Sequence, residues 1–357
     1  MFGLRRRFKP MLGIDISTSV VKLIELSQST DSNKARYRVE AFATEPLPNN
    51  TVVDNKMTDP VAVGQCIRRA VKRAGTKTKV AVVAVSGPTV ITKVITMSAE
   101  LDDEELEGMI RYNADQYIPY ELEDVCLDFN VLGPSLGSPE LVDVLLAACR
   151  REHVDDRVKA LSQAGLTASI VDVEAYAMEK ACHLILAEHG ASHLELPVAV
   201  ADVGASTMRL SVLHQDQIIY TREQNFGGLQ LINEVQQHSG LPREQIVRAI
   251  LNGEISEHDE AEVLSPANDV LAQQIGRALQ FFYSGSSFRQ VDRVILAGSA
   301  AGLRGIDELI AKRLDLPIMV ANPFSSMSLA PHIKSRELMR EAPTLMVAVG
   351  LAWCAFD

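Results

Sequence analysis

The chain has 357 residues, 47% of them hydrophobic and 23% charged, with a net charge of −11. That length exceeds what one hydrophobic core supports, so at least two lobes are expected, and the acidic balance argues against nucleic acid as the main ligand. The uncharged run 342–356 is too short for a helical membrane span, and Pro10 and Asp15 interrupt any signal-like apolar region behind the basic start Arg5, Arg6, Arg7 and Lys9.

In chain order, strands are predicted at 11–16, 20–28, 36–45 and 79–85, with an amphipathic helix from Pro60 to Ala74. Arg68, Arg69, Lys72 and Arg73 on its polar face read as solvated surface. The basic start reads as a frayed terminus, with weak attraction to an anionic membrane as the sharper alternative. From 87 to 150 the pattern changes to a compact β-α-β-β unit. It has a strand at 90–97, a helix running from the acidic start Asp102–Glu105 to Gln116, and strands at 124–132 and 141–149 joined by a loop at 133–139. The acidic run suits a helix N-terminus and needs no catalytic role. A helix at 153–164, a strand at 168–173 and a helix at 175–189 lead to Pro197, where the second lobe is expected to begin. There follow a helical insertion at 241–287, a strand at 291–297, a helix at 306–313 and a closing helix at 343–355. The expected division is a first lobe at 11–86 and 151–196, an insert at 87–150, and a second lobe at 197–240 and 288–357 carrying the insertion. Five scattered cysteines read as reduced core thiols. His189 and His193, separated by Gly190, make a poor metal pair.

Two segments align without a gap. Asp15-Ile16-Ser17-Thr18-Ser19-Val20-Val21-Lys22 matches Asp202-Val203-Gly204-Ala205-Ser206-Thr207-Met208-Arg209, and each lies between apolar stretches. Each reads as a β-hairpin whose turn of small and hydroxyl residues leaves backbone N–H groups open to an anion. An aspartate at each entrance would repel a bare phosphate, so Asp15 and Asp202 point to Mg²⁺ bridging through water. Gly227-Gly228, opening a helix, and Gly298-Ser299-Ala300, ending a strand, suit close approach of backbone to the same ligand.

Together these features resemble the actin-like ATPase superfamily, an α/β fold of two lobes around a nucleotide cleft. Asp15–Lys22 and Asp202–Arg209 look like its phosphate motifs, Leu296–Gly302 its adenosine motif, and Asp172–Ala177 and Ala348–Gly350 its connecting segments. The insert sits where FtsA and the PilM family of type IV pilus assembly carry a small FtsA-like subdomain. The nearer likeness is to the PilM family, through Leu12-Gly13-Ile14-Asp15, Ala114-Asp115-Gln116-Tyr117-Ile118-Pro119-Tyr120-Glu121, Val171–Ala177 and Gln224-Asn225-Phe226-Gly227-Gly228. The resemblance implies a cytoplasmic ATP- and Mg²⁺-binding adaptor, held at the inner membrane through a PilN-like protein. That partner's N-terminal tail would lie in a groove between the insert and the first lobe, with other pilus platform components and self-association as further contacts. Tyr117, Ile118, Pro119 and Tyr120 are candidates for the groove wall, with packing inside the insert as the alternative. Asp172 and Glu174 are candidates to orient a hydrolytic water, with helix capping as the alternative. Ser17 and Ser299 stand where the family commonly has Gly. An FtsA-like division adaptor and an ATP-hydrolysing or phosphotransfer enzyme are the competing readings.

Overall fold

The computed structural model describes residues 9–29, 35–85, 89–135, 137–188, 195–215, 217–247, 257–303 and 305–356. Arg5–Arg7, Gly87, His189, Gly190, His193, Arg304 and part of the helical insertion lie outside them. Strands β1 (Leu12–Ile16), β2 (Val20–Gln28) and β3 (Tyr37–Pro46) form an antiparallel meander. The small hairpin β4 (Val52–Val53) and β5 (Lys56–Met57) precedes helix α1 (Pro60–Ala74), and β6 (Val80–Val85) returns parallel to β1. The ends of α1 are set locally. Asp59 accepts from the Val61 and Ala62 amides, Pro60 opens the first turn, and Gly75 closes the helix at φ 69°. Val63, Cys66, Ile67, Ala70 and Val71 form its buried stripe.

The insert holds β7 (Val90–Ser98), α2 (Asp103–Tyr112), β8 (Val125–Ser135) and β9 (Ser138–Arg150), its strands ordered β7-β9-β8. Asp102 and Glu105 form a reciprocal capping box, which accounts for the acidic run. The expected loop at 133–139 is largely strand, because register shifts around Gly133 and Pro134 let the hairpin continue past both. The expected helix to Gln116 stops at Tyr112, and a separate 3₁₀ turn holds Ala114–Gln116.

Helix α3 (Arg151–Gln163) and β10 (Thr167–Val173) complete the first sheet's parallel side, and α4 (Glu174–Glu188) follows. The second half repeats the plan. Its antiparallel strands are β11 (Val198–Val203), β12 (Met208–His214) and β13 (Gln217–Gln224), followed by helices α5 (Gly228–Ser239), α6 (Arg243–Val247) and α7 (Glu257–Gly285). Then come β14 (Val294–Gly298), α8 (Ile306–Leu314) and β15 (Ile318–Val320), both strands lying parallel to β11. The order β13-β12-β11-β14-β15 is matched by β3-β2-β1-β6-β10. Register matches as well, since Asp15 pairs with Lys22 and Asp202 with Arg209.

The end of the chain departs from the expected division, which gave 288–357 to the second lobe. Strand β16 (Ser328–Leu329) extends the first sheet beside β3. After α9 (Ser335–Glu341), helix α10 (Met346–Trp353) packs between α4 and β1. Every residue from Met346 to Ala352 is buried. A helix apolar on all sides needs neighbours all round, and the first lobe supplies them through Gly13 and Ala177. Among the described residues, no single helix is long and apolar enough to cross a membrane.

Candidate functional site

The two matched hairpins meet at the mouth of a cavity of about 510 Å³, a size that fits a small-molecule ligand. Across it the Thr18 and Ser206 hydroxyl oxygens lie 3.5 Å apart. Asp15, Ser17, Thr18, Ser19, Lys22, Asp202, Gly204, Ala205, Thr207, Gly228, Gly298 and Ser299 all line the cavity.

In the second loop the Gly204 amide donates to the Thr207 carbonyl at 2.9 Å. Helix α5 was expected to present its first amides to a ligand. Instead the Gly228 and Leu229 amides donate to the Gly204 and Ala205 carbonyls, both at 2.9 Å, so the helix start fixes the loop. Gly227 makes that approach possible, since a Cβ there would sit 2.6 Å from the Ser206 nitrogen. Gly298 is similarly constrained, with φ 83° and a Cβ position 2.6 Å from Asp202 Oδ1. Ser299 donates to the Val203 carbonyl at 3.3 Å, which gives its side chain a bracing role, and Ala300 is buried beneath it. Among the described residues, no acceptor is bonded to the Ala205, Ser206 or Thr207 amides. Successive backbone amides of this kind are the groups that can bind an anion.

The first loop carries Ser17 where the second has Gly204. Ser17 Oγ donates to the Val20 carbonyl at 3.0 Å and accepts from the Val20 amide at 3.2 Å and the Ser19 amide at 3.5 Å. The serine that replaces glycine therefore satisfies its own turn and withdraws two donors from the cavity.

Charge in the cavity is arranged in pairs. Lys22 Nζ donates to Asp15 Oδ2 at 2.9 Å. Burial is the largest influence and opposes the lysine's charge, but Asp15, Asp202 and Glu174 together outweigh it and the Lys22 pKa is raised. Burial raises the Asp15 carboxyl above its usual range, with Lys22 opposing. Asp202 is pushed up to about 6 by burial, against the pull of Lys22 and Arg209. Arg209 bridges Glu174 at 3.0 Å and Glu223 at 2.8 Å, and the Asn55 side chain donates to Glu223 at 3.3 Å. This network ties the start of α4 and the β4–β5 hairpin to the second sheet. Arg157, on α3, also lines the cavity, its guanidinium bonded to the Ala84 and His153 carbonyls and its pKa lowered by burial. Nothing in the sequence marks Arg157, because a lone arginine on a helix carries no motif.

The two carboxylates proposed to orient water are separated. The change from strand to helix at Val173–Glu174 leaves Glu174 in the cleft, engaged by Arg209. Asp172 lines a different cavity, of about 760 Å³, where Cys354 Sγ lies 3.4 Å and Lys180 Nζ 3.8 Å from its Oδ2. A role for Asp172 at the cleft does not survive this placement.

That second cavity lies between the insert and the first lobe. Val94, Leu127, Phe129 and Ala147 face Val171, Tyr176 and Lys180, and Ile218 of β13 closes one end. Of the expected wall residues, none lines this cavity, whereas Ile118, Pro119 and Tyr120 line a third one, between the insert and the start of α3. Tyr117 and Ile118 pack among the insert's own apolar clusters. Pro119 is exposed, and Tyr120 lies under the Arg150 guanidinium at 4.6 Å on the edge of that third cavity. Ile118, only 4% exposed, packs inside the insert and also reaches the third cavity, whereas Tyr117 does not line it.

Comparison with known proteins agrees with this architecture. A PilM–PilN type IV pilus biogenesis complex is similar with a TM-score of 0.78 and 26% identity, covering 98% of this chain and 99% of that one. The ethanolamine utilization protein EutJ from Carboxydothermus hydrogenoformans shares the fold at a TM-score of 0.57 and 16% identity, covering 96% of this chain and 89% of that one. A nucleotide-free diol dehydratase-reactivating factor does so at 0.56 and 9% identity, covering 98% and 100%. The fold is that of the actin-like ATPases. The family described as type IV pilus assembly protein PilM matches residues 13–356, and the chain belongs to that family.

Proposed function

We propose that the cleft binds Mg-ATP as a shaping ligand, and that the groove beside α4 holds the N-terminal tail of a PilN-like membrane protein. The observation that carries the nucleotide reading is the meeting of two hairpins in identical register, with the amides of residues 205–207 open between them. The donor set fits a magnesium ion. Asp15 and Asp202 are both raised by burial, so a cation bridging through water would relieve the desolvated charge. Asp202 is the stronger candidate because Lys22 already compensates Asp15. The ion pair to Arg209 favours an adaptor over a fast hydrolase, since Glu174 has to leave it before orienting a water. The groove supports the partner reading, being largely apolar with Asp172, Glu179 and Lys180 on one side. The solved PilM–PilN complex, similar along its full length, supports it too. Recruitment through that tail would hold the chain at the inner membrane.

Titration calorimetry on the purified chain tests both halves. Mg-ATP and a PilN-type N-terminal peptide should each bind, and each should still bind when the other is saturating. Absence of peptide binding, with rapid phosphate release from ATP in the presence of a sugar, would favour the enzyme reading instead.

The first loop allows a sharper test. Ser17→Gly frees the Ser19 and Val20 amides, and a hydrogen bond is worth about 1 kcal/mol net. The variant should bind Mg-ATP roughly fivefold more tightly. An affinity equal to or below the parent's would mean that the first loop does not hold phosphate.

A further inference from the structure

Cys126 on β8 and Cys149 on β9 stand directly opposite each other in the insert's antiparallel ladder. Their chain neighbours Val125, Leu127 and Ala148 pack in one of the insert's own apolar clusters. Successive side chains of a strand alternate between faces, so both thiols turn the other way, into the cavity beside α4 that both residues line. The other cysteines lack this setting. Cys66, Cys182 and Cys354 are buried within the large core clusters, whereas Cys126 is partly exposed.

The register permits a bond between the two sulfurs. Residues directly opposite in an antiparallel pair have Cα atoms about 4.5–5.5 Å apart, inside the roughly 4.4–6.8 Å that a disulfide spans. The irregularities of this hairpin begin at Val131–Gly133, beyond the pair. The two thiols also differ in a way that orders the chemistry. Burial raises the Cys149 thiol above its ordinary range, Cys126 adds to this, and the Arg157 guanidinium opposes it. Cys149 is therefore a slow first nucleophile, and Cys126 is the thiol that a reagent in the cavity meets first.

We propose that Cys126 and Cys149 form a reversible dithiol–disulfide pair that takes low-molecular-weight disulfides as its oxidant and whose state adjusts the groove beside α4. The effect on the groove rests on the peptide reading given above. In the first step the Cys126 thiolate attacks one sulfur of glutathione disulfide, forming a mixed disulfide and expelling one glutathione thiolate. Cys149 then gives its proton to water, attacks the Cys126 sulfur and expels the second glutathione thiolate. Two protein thiols are oxidised, and one glutathione disulfide is reduced to two glutathione molecules. Closure draws the opposed Cβ atoms from about 4.5–5.5 Å to about 3.8 Å. The wall holding Cys126 and Cys149 then shifts relative to Val154, Val171 and Val173, which line the same cavity. A displacement of that size costs an apolar ligand part of its contact energy.

The test is titration of the full-length chain with glutathione disulfide, quenched in acid and read by mass mapping. The parent should lose two of its five thiols to an internal Cys126–Cys149 link and recover them in excess glutathione. Cys149→Ser should stop at a stable adduct of glutathione on Cys126, and Cys126→Ser should leave Cys149 unmodified. Should Cys149→Ser fail to fold, Cys149→Ala reads the same adduct. Calorimetry with a PilN-type N-terminal peptide should find the oxidised chain binding roughly threefold or more weakly than the reduced one. Links to any other cysteine, or a parent that stops at the adduct, would overturn the pair. Equal peptide affinity in both states would overturn its effect on the groove. If the reduced chain binds no peptide, the peptide reading itself fails, and the mass map still decides the pair.

Discussion

Replacing Asp202 by asparagine should raise the melting temperature of the ligand-free protein at neutral pH and abolish its binding of Mg-ATP. Burial pushes the Asp202 carboxyl up to about 6 in the folded protein, from an ordinary value of 3.8. A raised carboxyl binds more protons folded than unfolded. Its stabilising contribution is therefore complete below about pH 4 and is lost as pH rises through 6. Above that the ionised side chain costs the fold on the order of 2–3 kcal/mol, which an asparagine of nearly the same shape does not. For a chain of this size the gain corresponds to roughly 3–6 °C. The pH dependence separates this cause from others. Parent and variant should melt together near pH 4, and the gap should open between pH 4 and 7. A constant offset across the range would assign the effect to packing. Calorimetry with Mg-ATP reads the second half, because the neutral amide of an asparagine cannot offer the negative charge that a hydrated magnesium requires. Unchanged nucleotide affinity would remove Asp202 from the metal role altogether. Both outcomes belong to one residue because a desolvated carboxylate aimed into a cleft is destabilising until a cation reaches it.

How much of this was legible in the sequence depends on whether a feature is local. The bounds of α1 follow from Asp59, Pro60 and Gly75, all within a turn of its ends, and the structure reproduces the predicted helix. The paired hairpins were legible because the chain repeats itself, and the repeat extends to the pairing of Asp15 with Lys22 and Asp202 with Arg209. Long-range placement was not legible. Arg157 reaches the cleft only because α3 packs beside α1 and β6, and α10 crosses back to the first sheet after a long passage through the second. The four residues from Tyr117 to Tyr120 divide: Ile118, Pro119 and Tyr120 line a cavity between the insert and α3, while Tyr117 packs inside the insert and the cavity beside α4 is lined by β7, β8 and β9. Composition alone does not say which side of a small subdomain a segment faces. Ser17 stands out in the sequence as a departure from glycine, whereas its hold on the Ser19 and Val20 amides is a property of the folded turn.

Gly350→Ala should be the most damaging glycine-to-alanine change among the described residues. A Cβ at Gly350 would lie 1.7 Å from the Ala177 carbonyl oxygen and 2.5 Å from its carbon. The obstruction is backbone on α4, so no rotamer change can relieve it, and α10 cannot retreat. On its other side a Cβ at Gly13 would already meet the Ala348 oxygen at 2.1 Å, which shows how closely α10 also lies on β1. Overpacking usually costs about 1–3 kcal/mol. A contact this short, held from both sides, should reach about 4 kcal/mol or more, near the upper end for point substitutions. We expect the variant to melt more than about 5 °C below the parent in a calorimetric scan, and Ala177→Gly not to rescue it, since the opposing atoms are main chain. The control is Gly108→Ala on α2, where nothing lies within 4 Å of the new methyl. Helix propensity alone should make that variant more stable by up to about 1 kcal/mol. The damage at Gly350 should also reach the cleft, because α4 carries Glu174 at its first position and Ala177 one turn further on. Pushing α4 away from α10 shifts Glu174 relative to Arg209, so any folded fraction should bind Mg-ATP with altered affinity. A Gly350→Ala protein with parental stability would mean that α4 and α10 sit further apart than their small residues permit.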